Sequence, residues 1–130
     1  MADSLAGSWG LHPPVEPGDP LVHPDDLDAL VKLFAYGRVF HCVDDQDGWL
    51  TLRYGSTTYR VRPQHYRPVP LLSFDFGQLV QEREGARRVG VVVDILWHST
   101  LGRPMYFIAV GGRKRSRRYF DEELSPHTAA

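Results

Sequence analysis

A chain of 130 residues, 42% hydrophobic and 24% charged, has the composition of an ordinary soluble globular domain. That excludes a disordered tail or a collagen-like rod, and no apolar run approaches the roughly 18 residues that span a bilayer. Fifteen Lys and Arg against sixteen Asp and Glu give a net charge of −1, well short of the basicity of a domain given over wholly to nucleic acid.

The first residues, Met1–Trp9, lack both the basic start and the apolar stretch of a signal peptide. Cys42 is the only cysteine, so no internal disulfide forms and a cytoplasmic location is expected. Residues 1–22 hold Pro13, Pro14, Pro17 and Pro20 among three glycines. Proline fixes φ and removes a backbone donor, which predicts an irregular arm, neither helix nor central strand.

His23-Pro24-Asp25-Asp26 reads as a helix start, with proline at the first position and acids at the positive end of the dipole. Leu27, Leu30, Val31 and Phe34 follow at helical spacing, and Gly37 offers a left-handed stop. The spacing predicts one amphipathic helix over about 24–35. Strands are predicted at Arg38–Val43, Trp49–Tyr54 and Thr57–Arg62, with 44–48 as the first turn. Prolines 63, 68 and 70 then mark a boundary near Pro68–Leu72. Beyond it, strands are predicted at Phe74–Glu82, Arg88–Trp97, Met105–Val110 and Ser116–Phe120, with a helical turn at 121–124. The run from Val89 to Trp97 is apolar on both faces, as in a central strand covered on each side. The fold class is therefore α+β, mostly antiparallel β: an arm (1–22), a helix with a three-stranded unit (23–70) and a second β unit (71–130). A single continuous domain over 21–125 is the other organisation the pattern allows.

The second half resembles an SH3-like or Tudor-like barrel. The resemblance rests on Phe74-Asp75-Phe76-Gly77, on Gly90-Val91-Val92 leading into Trp97-His98, on Met105-Tyr106-Phe107, and on Ser116-Arg117-Arg118-Tyr119 before an acidic turn. The phrase from Gly112 to Tyr119 after a Trp-His strand also resembles a set of small uncharacterised bacterial proteins. The resemblance covers about 74–124 and implies a binding role toward peptides, modified side chains or nucleic acids. It brings no catalytic residues with it.

The most pointed chemistry is the cluster Arg113, Lys114, Arg115, Arg117 and Arg118. Arginine forks suit carboxylate and phosphate. Tyr119 and Phe120 follow directly, and Trp97, His98 and Tyr106 are expected on neighbouring strands, which would make a basic-aromatic platform. Trp97, Tyr106 and Tyr119 are also the trio that would form a cage for a methylated cation. A solvated edge that resists aggregation is the plainer reading of the charges. Residues 1–70 carry six basic and nine acidic residues, net −3, and 71–130 carry nine and seven, net +2. That modest asymmetry favours an acidic protein partner over single-stranded nucleic acid.

Other chemistries find little footing. Asp44, Asp45 and Asp47 before Gly48 miss the EF-hand frame, which would need acid at Val43 and Glu at Tyr54. The six histidines are scattered, with no metal-ligand spacing, and no cofactor is expected. Cys42 reads as a buried, inert thiol. Asp94 within the Val/Ile run calls for a partner, expected to be an arginine of the basic segment. Trp9, Trp49 and Trp97 are expected in the core, and Tyr36, Tyr54, Tyr59 and Tyr66 half-buried. The favoured function is a non-catalytic protein docking an anionic partner, with no membrane role. A nucleic-acid module, an immunity-type inhibitor of a toxin, and an enzyme built on Asp94, His98 or Cys42 stand as alternatives.

Overall fold

A computed structural model describes residues 4–128; the first three residues of the arm and the last two of the chain lie outside the described residues. The fold is α+β, mostly antiparallel β with one helix, and divides into two compact units, Met1–Leu71 and Leu72–Ala130.

In the first unit, helix α1 (Pro24–Leu33) starts where His23 Nδ1 accepts the Asp25 N–H at 3.1 Å. It stops at Phe34, which adopts φ 60°, before Gly37 is reached. Arg38 reaches back to this end: its Nε donates to the Leu33 and Phe34 carbonyls, both at 3.1 Å, and the Phe34 N–H closes on the Val31 carbonyl, so part of the last turn's acceptors is served. Phe34 thus points to solvent, 61% exposed, and only Leu30 of the predicted stripe is fully buried. The Asp26 carboxylate ties the helix down, accepting the Arg60 backbone N–H and Nε, each at 2.8 Å.

Strands β2 (Val39–Gln46), β3 (Trp49–Tyr54) and β4 (Thr57–Val61) form a meander. Asp44, Asp45 and Gln46 extend β2, so the turn shrinks to Asp47 (φ 56°) and Gly48 (φ 80°), the left-handed pair that matches strand twist. The arm differs from its expectation. Its residues Trp9–Leu11 form β1, which pairs with β2 on one side and β5 (Arg67–Val69) on the other. The sheet order β4-β3-β2-β1-β5 makes β1 an interior strand. Its prolines begin only after Leu11, where they cost no ladder bonds, and Pro68 of β5 lies on the sheet's edge, where proline is tolerated. Gly10 is required by close packing: a Cβ there would sit 2.5 Å from the Tyr66 ring and 2.7 Å from the Arg67 carbonyl. Val39, Phe40, Cys42, Leu50, Leu52 and Val61 are fully enclosed, each such large side chain contributing about 1.5–3 kcal/mol. Tyr54, Tyr59 and Tyr66 are buried and Tyr36 is exposed, where all four had been expected half-buried.

In the second unit, β6 (Leu79–Glu82), β7 (Val89–His98), β8 (Arg103–Val110), β9 (Arg113–Lys114) and β10 (Leu124–Pro126) form a sheet ordered β10-β6-β7-β8-β9. The predicted strand from Phe74 is interrupted, because Gly77 turns at φ 78° and the Gln78 N–H closes on the Asp75 carbonyl. The run in β7 is covered fully on one face only: Gly90, Val92 and Ile95 are buried, its other residues half-buried. The predicted Ser116–Phe120 strand reduces to a single bridge between Tyr106 and Tyr119. A 3-10 turn at Asp121–Glu123 leads into β10, which pairs back onto β6. Among the described residues no helix is long and apolar enough to cross a membrane.

Candidate functional site

Gly111 (φ 58°) and Gly112 (φ 79°) reverse the chain after β8, so that β9 runs back along it with Lys114 opposite Ala109. The Arg115 N–H closes on the Ile108 carbonyl at 2.9 Å, and the chain then leaves the ladder. It returns at Tyr119, whose N–H and C=O exchange hydrogen bonds with Tyr106 at 2.8 and 2.7 Å. This single bridge decides which side chains face inward. Tyr119 is 1% exposed and Tyr106 0%, while Arg113, Lys114, Arg117 and Arg118 point to solvent and Arg115 is half-buried.

The expected platform is therefore corrected. Tyr106 and Tyr119 belong to the core: the Tyr106 hydroxyl accepts the Ser73 N–H at 3.1 Å, and its ring meets Phe74 edge-to-face at 5.1 Å. A cage of Trp97, Tyr106 and Tyr119 cannot form, because two of the three rings are closed in. Trp97 is half-buried on β7, in register with Pro104. Of the aromatics expected beside the arginines, Phe120 is the one that joins them. Its ring lies beneath Arg103 at 4.4 Å and Arg118 at 5.3 Å, with His98 6.1 Å away. A guanidinium over a ring face is held by the ring's quadrupole.

The five cations are not equivalent. Lys114 pairs with Asp94 and lies 5.4 Å over the Phe107 ring, so it is the lysine of the basic segment that reaches Asp94, where an arginine of that segment had been expected. Arg117 pairs with Glu123 at 2.8 Å. Arg118 reaches Met105 Sδ at 3.6 Å. Arg113, Arg115 and Arg118 have no carboxylate partner among the described residues.

Beside this segment opens a pocket of about 380 Å³, lined by Glu82, Arg83, Glu84, Gly85, Arg117, Tyr119, Glu122 and Glu123. Sequence reasoning missed Glu82, which is 4% exposed. Period-two alternation carried the signal: Val80 is buried, so Glu82 two residues on faces the same way. Its Oε2 accepts the Tyr119 hydroxyl at 2.5 Å, its Oε1 the Arg88 N–H at 2.8 Å, and the Arg88 guanidinium lies 3.6 Å away. The Tyr119 hydrogen bond holds the carboxyl below its ordinary pKa against the opposing effect of burial, helped by the Arg88 N–H and by the charges of Arg88 and Arg117. Burial pushes Tyr119 up, and the Glu82 charge adds to it. At neutral pH the pair is an ionised acid and a protonated phenol, neither tuned near 7 as a general acid or base would be.

The sequence profile of DUF6960, a family of unknown function, matches residues 1–125. The chain belongs to this family. No curated protein and no solved structure matches it. The DUF6960 match runs through both units and takes in the whole basic segment and every residue of the pocket.

Of the residues imagined for catalysis, Asp94 and His98 are not brought together. Asp94 and His98 lie four positions apart on β7, about 13 Å along a strand, and His98 Nδ1 accepts the Leu101 N–H at 3.1 Å. Cys42 is buried, and desolvation pushes its thiol up to about 11, far from a reactive thiolate.

Proposed function

We propose that this DUF6960 chain is a non-catalytic, cytoplasmic binding protein that docks an acidic protein surface through the Arg113–Arg118 segment and Phe120, with Trp97 and His98 at the margin of that face. The observation that carries the reading is the set of three arginines, Arg113, Arg115 and Arg118, left without carboxylates among the described residues while Lys114 and Arg117 are paired. Unpaired guanidinium groups supply forked donors to a partner's carboxylates without first breaking an internal ion pair. Burial of Tyr106 and Tyr119 removes two of the rings that stacking on single-stranded nucleic acid would use, which favours protein. An immunity-type inhibitor of an acidic toxin is a special case of the same reading. The second unit is read as SH3-like, on the strength of its three-stranded meander, the 3-10 turn and the return of β10 onto β6.

The test is affinity capture from native lysate with the wild type and with the Arg113→Glu/Arg115→Glu/Arg118→Glu variant. A partner retained after nuclease treatment and lost with the triple variant is the expected result. Capture abolished by nuclease assigns the face to nucleic acid, and capture indifferent to the triple substitution ends the proposal.

A further inference from the structure

The pocket beside the basic segment has an unusual balance of hydrogen-bonding groups. Three of its four acids are already engaged at both oxygens. Glu82 accepts from Arg88 and Tyr119, Glu122 is gripped by both terminal nitrogens of Arg103, and Glu123 accepts the Phe120 N–H at 2.9 Å and Arg117 Nη2 at 2.8 Å. Glu84 is the exception, exposed on the turn after β6. The donors are less committed. Arg83 gives its Nε to the Leu124 carbonyl at 2.8 Å, and its two terminal nitrogens have no partner among the described residues. Arg117 gives only Nη2 to Glu123, lies 4.5 Å over the Tyr119 ring, and keeps Nη1 and Nε uncommitted.

The lining holds four acids and two arginines, but Glu82, Glu122 and Glu123 each lie in an ion pair, with Arg88, Arg103 and Arg117, and the open charged donors of the pocket are the guanidinium N–H groups of Arg83 and Arg117. From this we infer that the pocket accepts one oxyanion group, a carboxylate or a phosphate, between Arg83 and Arg117. A volume of about 380 Å³ admits that group together with the side chain that carries it. The inference rests on the docking reading in one respect: the oxyanion would serve as the partner's anchor, seated beside the flatter contact made by Arg113, Arg115 and Arg118. Tyr119 and Glu82 close the pocket's inner end, and their hydrogen bond keeps the phenol turned toward Glu82.

The experiment follows the arginine Nε–Hε NMR signals of the full chain during titration at fixed ionic strength, with inorganic phosphate in one arm and triglutamate peptide in the other. Saturable shifts at Arg83 and Arg117 are expected, weakened about tenfold or more by Arg83→Gln and strengthened by Glu84→Gln. Tighter binding of triglutamate identifies the group as a carboxylate; tighter binding of phosphate identifies it as a phosphate; either upholds the site. Shifts confined to Arg113, Arg115 and Arg118, no response to either probe, or unchanged affinity in a folded Arg83→Gln variant overturns it. The two readings fail separately. Partner capture lost in the triple variant with no titration at Arg83 sinks the pocket alone, and titration at Arg83 with capture indifferent to the triple variant sinks the docking face alone.

Discussion

Both units bend a long strand at the same dipeptide. β2 shifts register between Cys42 and Asp44, and β7 between Val92 and Asp94, so the extra residue is in each case a valine followed by aspartate. A bulge of this kind adds local twist and lets a long strand curve over its core. What the aspartate then does is different. In the first unit Asp44 accepts the Asp45 N–H at 3.0 Å, and Asp45 accepts the Leu5 N–H at 2.9 Å, so the acids serve neighbouring backbone. In the second unit Asp94 reaches across β8 to Lys114 and holds the start of the basic segment against the sheet. The same bend organises a turn in one unit and anchors a charged surface in the other.

That contrast is open to attack by substitutions confined to one unit, read by residue-resolved hydrogen exchange. The largest effect is expected from Tyr106→Ala, which empties the second unit's core and leaves the Ser73 N–H unpartnered, at a cost of about 3–5 kcal/mol. Protection should fall in β6–β8 and hold in β2–β4; equal losses in both would break the contrast between the units. Gly10→Ala should cost about 1–3 kcal/mol, because the new methyl meets the Tyr66 ring and the Arg67 carbonyl. Its effect belongs in β1, β2 and β5, and unchanged exchange there would remove the packing argument for that glycine.

The smallest effect sharpens the comparison through pH. His12 is buried, its Nε2 has no hydrogen-bond partner among the described residues, and desolvation lowers its pKa despite the hydrogen bond to the Pro13 carbonyl. The folded chain therefore resists a proton that the unfolded chain accepts near pH 6.5, so stability of the first unit should decline as pH falls below about 6.5. Glu82 is shifted the opposite way relative to its charge. Its ionised form is favoured by folding, so its contribution persists down to the ordinary carboxylate range and is lost only below about pH 4. Acidification from pH 7 to 5 should weaken β1–β5 before β6–β10, and His12→Phe should erase the difference. Parallel loss in both units would contradict it.

The helix, the strand Trp49–Tyr54 and the boundary region were legible because periodicity and capping residues are local signals. β1 and β5 were not, because the prolines around them read as punctuation and their pairing depends on partners far along the chain. The site was legible by halves. A run of five cations announces itself, whereas the inward turn of Tyr119 depends on a single bridge to Tyr106 that no spacing encodes. Phe120 and Arg103, which complete the surface with Arg118, meet only because the loop from 115 to 118 leaves the ladder and comes back. Glu82 was readable from alternation, but a lone acid at the end of a strand also reads as the first residue of a turn.

The interior position of β1 has a kinetic consequence. Trp9 pairs with His41 on one side and Val69 on the other, so a strand made before the rest of its sheet gains its last neighbour only when nearly all of its unit has been made. Such non-local closure raises contact order and slows folding. Until β5 arrives, the nascent chain carries a strand with one open flank, and between the synthesis of Leu11 and that of Arg67 this flank is open to mispairing.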